Sequence, residues 1–506
     1  MRFDRACGTL VHPTSFPSDF GIGDLGSAAY AFIRFLEHTH QSIWQILPLG
    51  PTGYGNSPYA SYSAFAGNTY LISPDILLGK GLLTNGEVDP LRIPTRTIAD
   101  YDSAYAIKDT LFDIASKRFY DGMTAETKAA FDAFQAENAY WLPDYARFMA
   151  GLLANGKQPW NLWDKKTLGK KKLQPEIDRQ LFLQFEFFSQ WEALKRYANE
   201  RGVKVVGDIP IFVDHNSSDV WSHPEYFEVD AKGNRVKVAG VPPDYFSSTG
   251  QLWGNPLYKW KVLEHDGYSW WIERFRQMFR MFDLIRVDHF RGFDAYWEVD
   301  AKARTAEHGR WVKGPGMRLF DTILRELGDI PVIAEDLGVI TPSVVALRDR
   351  FGFPGMKILQ FSFTDNQANA FLPHNYHTAN CVVYTGTHDN DTTIGWYRAA
   401  PDMERHRVRE YTRTDGGTIH WELIRLGMMS VADQAIFPLQ DFMGLGTEHR
   451  MNFPGTTENN WLWRYTPDML GAIHAEQIRH LVHLSNRNPR LRMTDANLVE
   501  LAAEDP

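Results

Sequence analysis

Cysteine is almost missing from this chain: Cys7 and Cys381 are the only two in 506 residues. That excludes a disulfide framework and leaves too few thiolates for a structural zinc site. Two lone thiols suit a reducing compartment, so a cytoplasmic protein is expected. No run of eighteen apolar residues occurs, which excludes a membrane-spanning helix. The opening MRFDRACGTLVHPTSF has no apolar core before a small-residue cleavage site, so no signal peptide is expected. Positive charge is scarce as well. The formal net charge is −9, and the two basic stretches, Lys165–Lys172 (KKTLGKKK) and Arg479–Arg492, are too short to hold nucleic acid or an acidic membrane surface. No repeat of fixed period and no low-complexity segment is present. His12, His289 and His388 fit no metal-ligand spacing, and Gly50, Gly53 and Gly55 fit neither phosphate-binding glycine pattern. No metal and no cofactor is expected.

Aromatic residues, by contrast, reach 14%, with 16 Trp. Flat rings of this kind suit the apolar faces of sugars as well as a core. The second abundant feature is a short apolar run that ends in a polar cluster and is followed by a helical pattern. Seven such runs occur: Ile43–Leu49, Val203–Val213, Phe282–Val287, Ile330–Ala334, Met356–Phe361, Cys381–Thr385 and Ala432–Leu439. Continuous apolar runs are what parallel strands buried on both faces look like. Helical patterns lie between most of them. In Glu176–Gly202, residues Ile177, Leu181, Phe185, Phe188, Trp191 and Leu194 share one stripe before a glycine stop. Alternation of this kind predicts an α/β fold, a (β/α)8 TIM barrel. A barrel needs only about 250 residues, so the remainder is assigned to insertions. The barrel is expected to take residues 1–69 and 175–506, a mostly helical subdomain residues 70–174, and a long aromatic loop over the barrel mouth residues 220–264.

Barrel enzymes keep their chemistry at the C-terminal ends of the strands. Four acids end or follow apolar runs: Asp208, Asp288, Glu335 and Asp389. Any one of them alone is as well explained by a helix cap or an ion pair. Their surroundings favour chemistry. Arg286 lies two residues before Asp288, so strand alternation points both the same way, and a buried arginine there would hold the carboxylate ionised. His289 and Arg291 follow, and His388 precedes Asp389. Dense polar groups at the tips of apolar strands are costly to bury without a function. Cleavage of a glycosidic bond needs one ionised and one protonated carboxyl. Asp288 beside Arg286 suits the ionised nucleophile. Glu335, following Val-Ile-Ala, suits the acid, and Asp389 suits binding of sugar hydroxyls and stabilisation of developing positive charge.

The motifs IRVDHFRG, AEDLG and TGTHDNDTTIGWY resemble those of the 4-α-glucanotransferases, the amylomaltases of glycoside hydrolase family 77. GTLVHPTSFPSDFGIGDLG, YGNSPYASYSAFAGN, GDIPIFV, GVPPDYFSSTGQLWGNPLY and MNFPGTTENNWLWR agree in the same order, from about Gly8 to Arg464. The resemblance implies a TIM barrel in which Asp288 is the nucleophile, Glu335 the acid/base and Asp389 the transition-state stabiliser. It further implies that Arg286 and His388 hold the glucosyl unit with Asp208 nearby, that Tyr54 and Trp253 contact sugar, and that Asn452 lies near the mouth. The implied partners are α-1,4-glucans, with glucose or another glucan as acceptor. Phe16, Val287 and Asn56 depart from the commoner family residues without touching a proposed catalytic group. The expected activity is a retaining 4-α-glucanotransfer. An α-amylase-like hydrolase would use the same three acids, and a non-catalytic glucan-binding barrel is the reading of another class. The aromatic lid, Tyr245–Trp260, is the feature that favours transfer, since it would keep water from the intermediate.

Overall fold

Parallel strands buried on both faces need apolar side chains in both directions, and the seven apolar runs supply them. The computed structural model describes residues 3–489 except 165, 167, 168, 170 and 244–246. Among these the strands are, in chain order, β1 (Ala6–Leu10), β2 (Ile43–Gln45), β3 (Lys204–Ile209), β4 (Lys237–Val241), β5 (Gln251–Pro256), β6 (Leu284–Val287), β7 (Ala295–Asp300), β8 (Gly309–Lys313), β9 (Val332–Ala334), β10 (Gly355–Ile358), β11 (Cys381–Tyr384) and β12 (Gln434–Pro438). Eight of them form one sheet in the order β10-β11-β12-β1-β2-β3-β6-β9, with every pairing parallel. The Ala334 N–H donates to Pro354 O at 2.9 Å, just ahead of β10, and so brings the two ends of the sheet together. The fold is a TIM barrel.

All seven runs became barrel strands. The eighth, β1, has no apolar run to announce it, because its centre is Gly8-Thr9. Gly8 is there for lack of space. A Cβ on it would fall 2.0 Å from the Ile43 carbonyl oxygen of the neighbouring β2. Glycine inside a strand commonly marks such a close backbone approach.

The long helix Gln174–Glu200 departs from the predicted single stripe. Phe182, Leu183 and Phe187 are buried along with Phe188, Trp191 and Leu194, while Ile177, Leu181 and Phe185 are only half-buried. The cause is a second neighbour: besides the barrel, the helix packs against the helices of the preceding segment, and Phe185 meets Phe119, Phe131 and Phe134. Two of its buried glutamines serve the backbone of residues 67–73. Gln184 accepts from Gly67 N–H and donates to Gly67 O, both at 2.9 Å, and Gln190 accepts from Ser73 N–H at 2.8 Å. The segment 70–174 contains the helices Tyr101–Asp121, Ala125–Glu137 and Leu142–Ala154. Fully buried Lys108 ties the first of these to the start of the segment through Tyr70 O at 2.7 Å and Ile72 O at 3.0 Å, and to the barrel part through Asp24 Oδ2 at 3.5 Å.

The stretch 220–264 is not the irregular loop expected. It carries β4 and β5, which join β7 and β8 in a four-stranded antiparallel sheet of order β5-β4-β7-β8. The pairing was hidden because one partner of β4, β7, lies 57 (297 − 240) to 63 (300 − 237) residues further along the chain, and because Pro242-Pro243 and Gly250 break the apolar pattern between β4 and its other partner, β5. Ala239 and Tyr296 turn one face of this sheet into the main core. Tyr245, placed in the lid, and residues 165, 167, 168 and 170 of the Lys165–Lys172 run lie outside the described residues, as do 490–492 of the second basic stretch.

Gly8→Ala is expected to lower stability by about 1–3 kcal/mol through overpacking, read as a lower urea midpoint at unchanged slope. An unchanged midpoint would show that β1 and β2 do not approach this closely.

Candidate active site

The register of three neighbouring strands assembles the polar cluster. Asp208 on β3 is the direct partner of Arg286 on β6, so their side chains leave the sheet on the same side. Arg286 Nη1 donates to Asp208 Oδ2 at 2.6 Å and Nη2 to Asp288 Oδ1 at 2.9 Å. Arg286 and Asp208 are buried, whereas the Asp288 side chain keeps 29% of its surface. Val287 on β6 pairs with Ala334 on β9. The next position on each strand is Asp288 and Glu335, so the two acids rise from adjacent strand ends, about 4.8 Å apart in backbone spacing.

His289 adopts the left-handed conformation, φ 50°, which is uncommon for a residue with a Cβ and clusters at functional turns. That turn aims its N–H at Glu335 Oε2, 2.8 Å away, and Leu337 N–H reaches Oε1 at 3.1 Å. Glu335 is therefore gripped by backbone at both oxygens. Asp389 lies in the loop after β11. Asn452 Nδ2 donates to its Oδ1 at 2.6 Å, His388 Nε2 lies 3.3 Å from Oδ2, and Arg450 Nη2 donates to its carbonyl oxygen at 2.6 Å.

These surroundings separate the protonation states. Burial pushes Glu335 up to about 8, helped by the negative Asp288, while Arg286 and the two N–H donors only partly oppose it. Burial also raises Asp288, to about 6, against the pull of Arg286. Arg286 thus lowers Asp288 relative to Glu335 without keeping it in the ordinary range, because the guanidinium is shared with Asp208 and because Asp208 and Asp389 repel a further negative charge. For Asp389, burial would raise the carboxyl, but His388 and the Asn452 hydrogen bond outweigh it and hold the group below the usual range. Burial lowers His289 to about 3, with Arg291 adding to the effect, so its ring is neutral.

Of the residues singled out in the sequence, Asp208, Arg286, Asp288, Glu335, His388, Asp389 and Asn452 share this network. Trp253 on β5 borders it, edge-on to His289 with ring centroids 4.8 Å apart. Tyr54 does not join: its side chain stands in solvent, 78% exposed, on the turn Tyr54–Asn56. Two members went unnoticed. Tyr59 donates to Asp208 Oδ2 at 2.7 Å and stacks on His388 at 5.2 Å, and Arg450 donates through Nε to Asn452 O at 2.7 Å. Tyr59 lies 149 residues from Asp208 and Arg450 61 residues from Asp389, and neither follows an apolar run. Among the described residues, no group of three or more His, Cys, Asp or Glu side chains is placed to hold a metal ion.

A parallel barrel whose adjacent strand ends present carboxyls of opposed character has the architecture of an enzyme acting on glycosidic bonds. The sequence profile of the 4-alpha-glucanotransferases, glycoside hydrolase family 77, matches residues 11–470. A 4-alpha-glucanotransferase of Thermus thermophilus is 48% identical over 96% of this chain and its own full length. A chloroplastic/amyloplastic 4-alpha-glucanotransferase of Arabidopsis thaliana is 44% identical over 91% of this chain and 81% of its own. Among solved structures, the amylomaltase of Streptococcus agalactiae in complex with acarbose superposes with a TM-score of 0.92, at 37% identity, over 96% of this chain and 99% of that one. The chain belongs to the 4-alpha-glucanotransferase family.

Chemistry that needs one ionised and one protonated carboxyl gives a bell-shaped profile of kcat/KM. Activity is expected to fall below pH about 6, as Asp288 gains its proton, and above about 8, as Glu335 loses its own. Both limbs belong to the interacting pair. A profile flat from pH 5 to pH 9 would contradict this assignment.

Proposed function

We propose that glucan transfer in this protein is a double displacement with Asp288 as nucleophile, Glu335 as acid/base and Asp389 as stabiliser of the transition state. The protein is a 4-alpha-glucanotransferase, which moves segments of α-1,4-glucan from donor to acceptor. In the first step the Asp288 carboxylate attacks the anomeric carbon and the bond to the departing O4 breaks. Glu335 gives its proton to that oxygen, and a β-glucosyl ester remains on Asp288. In the second step the 4-hydroxyl of an acceptor gives its proton to the Glu335 carboxylate and attacks the same carbon. The ester bond breaks and configuration is retained.

The observation that carries this reading is the placement of two carboxyls on adjacent strand ends, Asp288 hydrogen-bonded to Arg286 at 2.9 Å and Glu335 held by two backbone N–H groups. Adjacent strand ends, about 4.8 Å apart in backbone spacing, favour the retaining arrangement, whose carboxyls lie about 5–5.5 Å apart, over the wider inverting one. The lowered Asp389 keeps a negative charge beside the position where the anomeric carbon becomes positive. Arg286, His388 and Asp208 would hold the glucosyl unit from below, with Asn452 at the rim. Trp253, and Tyr54 across open solvent, offer rings to neighbouring sugars. The acarbose complex of the S. agalactiae relative supports an α-glucan in this cleft, with glucose or a glucan as acceptor. No cofactor enters any step. Two free, buried thiols favour a reducing compartment, for which we propose the cytoplasm, and among the described residues no helix is long and apolar enough to cross a membrane.

Incubation with maltotriose tests the whole reading. Glucose together with a ladder of longer dextrins is expected; glucose and maltose alone would mean hydrolysis, and unchanged maltotriose a binding protein. Glu335→Gln is expected to lose about 10²–10⁴-fold on maltodextrins while still forming the glucosyl ester from an α-glucosyl fluoride, whose leaving group needs no proton. Loss of that first step too would remove Glu335 from the acid role.

A further inference from the structure

The loop that carries Asp288 continues beyond it. It runs through Arg291 to Asp294, where the chain turns directly into β7, and β8 returns so that Gly314 N–H donates to Asp294 O at 2.7 Å. The hairpin β7–β8 at the barrel mouth is thus rooted in the same loop as Asp288. On β8 the Trp311 side chain is 42% exposed, a conspicuous position for a large apolar ring. One face of it is nonetheless in use: the Arg291 guanidinium lies over the ring, 3.9 Å from its centroid. Trp297, the cross-strand partner of Trp311, braces the ring edge-on at 5.2 Å.

Arg291 is itself buried, at 7% exposure. Its Nη1 donates to Val339 O, in the loop that begins with Glu335. The same two loops are joined by Phe290 N–H to Glu335 O at 3.1 Å and His289 N–H to Glu335 Oε2 at 2.8 Å, and Ser343 Oγ, in the helix Pro342–Arg350 that follows, donates to Asp294 Oδ2 at 2.7 Å. Arg291 is the charged rivet in this seam, and a ring face and a carbonyl hold it in place.

We propose that Arg291, braced by Trp311, is a positioning residue for Glu335, so that the mouth hairpin fixes the acid's carboxyl in place. The inference rests on Glu335 being the acid/base. Without the indole, water reaches the guanidinium and competes for its hydrogen bond to Val339 O, and the loop 335–340 is free to shift. Proton transfer to a leaving oxygen depends on distance to within a fraction of an ångström, whereas Asp288, although its loop leads on to Arg291, is fixed independently by Arg286 Nη2 at 2.9 Å and by its own N–H to Ile209 O at 2.9 Å.

The test compares Trp311→Ala, Trp311→Phe, Arg291→Lys and the reference Glu335→Gln in the full chain, each with maltotriose and with α-glucosyl fluoride. Trp311→Ala is expected to lower kcat on maltotriose about tenfold at little-changed KM. Its burst of fluoride release should stay within about twofold of the parent, since that leaving group needs no acid. Trp311→Phe, which keeps a ring face, should recover most of the loss. Arg291→Lys, whose ammonium lacks the planar fork, should repeat the Trp311→Ala pattern and serves if the tryptophan variant folds poorly. Equal losses on both substrates would overturn the proposal in favour of general destabilisation. A raised KM for maltotriose at unchanged kcat would overturn it in favour of Trp311 as a sugar platform. If Glu335→Gln separates the two substrates and Trp311→Ala does not, only the rivet falls; if Glu335→Gln fails to separate them, the acid/base reading falls with it.

Discussion

Arg286 sits at the end of a barrel strand with 3% of its surface exposed, and a guanidinium so deeply buried must be matched by negative charge. Asp208 and Asp288 supply it, at 2.6 and 2.9 Å. The rest of the site depends on this buried triad. It fixes the direction of Asp288 and partly offsets the burial that raises its carboxyl above an ordinary aspartate. It also makes the next carboxyl, Glu335, harder to ionise, because Asp288 already carries the negative charge beside it. Removing one partner from a buried pair of this kind typically costs about 3–5 kcal/mol, so the network contributes to folding as well as to chemistry.

The barrel strands show which parts of such a protein can be read from sequence. A strand buried on both faces writes its burial into consecutive residues, and all seven apolar runs are strands of the barrel. β1 is invisible by the same logic: its Gly8 records the nearness of Ile43, a long-range fact that no local pattern carries. The helix Gln174–Glu200 misled in a similar way, since one stripe was predicted for a helix that has two neighbours. Its buried glutamines satisfy the backbone of residues 67–73, a partnership more than a hundred residues long. The mouth sheet went unread because its two hairpins are joined only through the long-range pairing of β4 with β7, and Pro242-Pro243 and Gly250 blur the turn of the first.

The candidate site divides along the same line. Acids at strand ends are legible because topology alone sends them to one rim. The groups that orient them are less so. Tyr59 and Arg450 reach the cluster from loops distant in sequence, and nothing in their neighbours foretells a bond to Asp208 or to the backbone of Asp389. Arg291 stood inside a recognisable motif, but its use emerges only with Trp311 on a strand that the sequence did not reveal. Local chemistry nominates the reacting groups; the three-dimensional arrangement determines their protonation states and what holds them still.

In the proposed mechanism Asp288, and no other carboxylate, carries the glucosyl unit between the two steps. Glu335→Gln, mixed with an α-glucosyl fluoride, acid-quenched within the burst and digested, should yield one peptide heavier by a single glucosyl unit, with fragmentation placing the ester on Asp288. A glucosyl ester on Asp389 or Asp208, or full fluoride release with no labelled peptide at any quench time, would contradict the account.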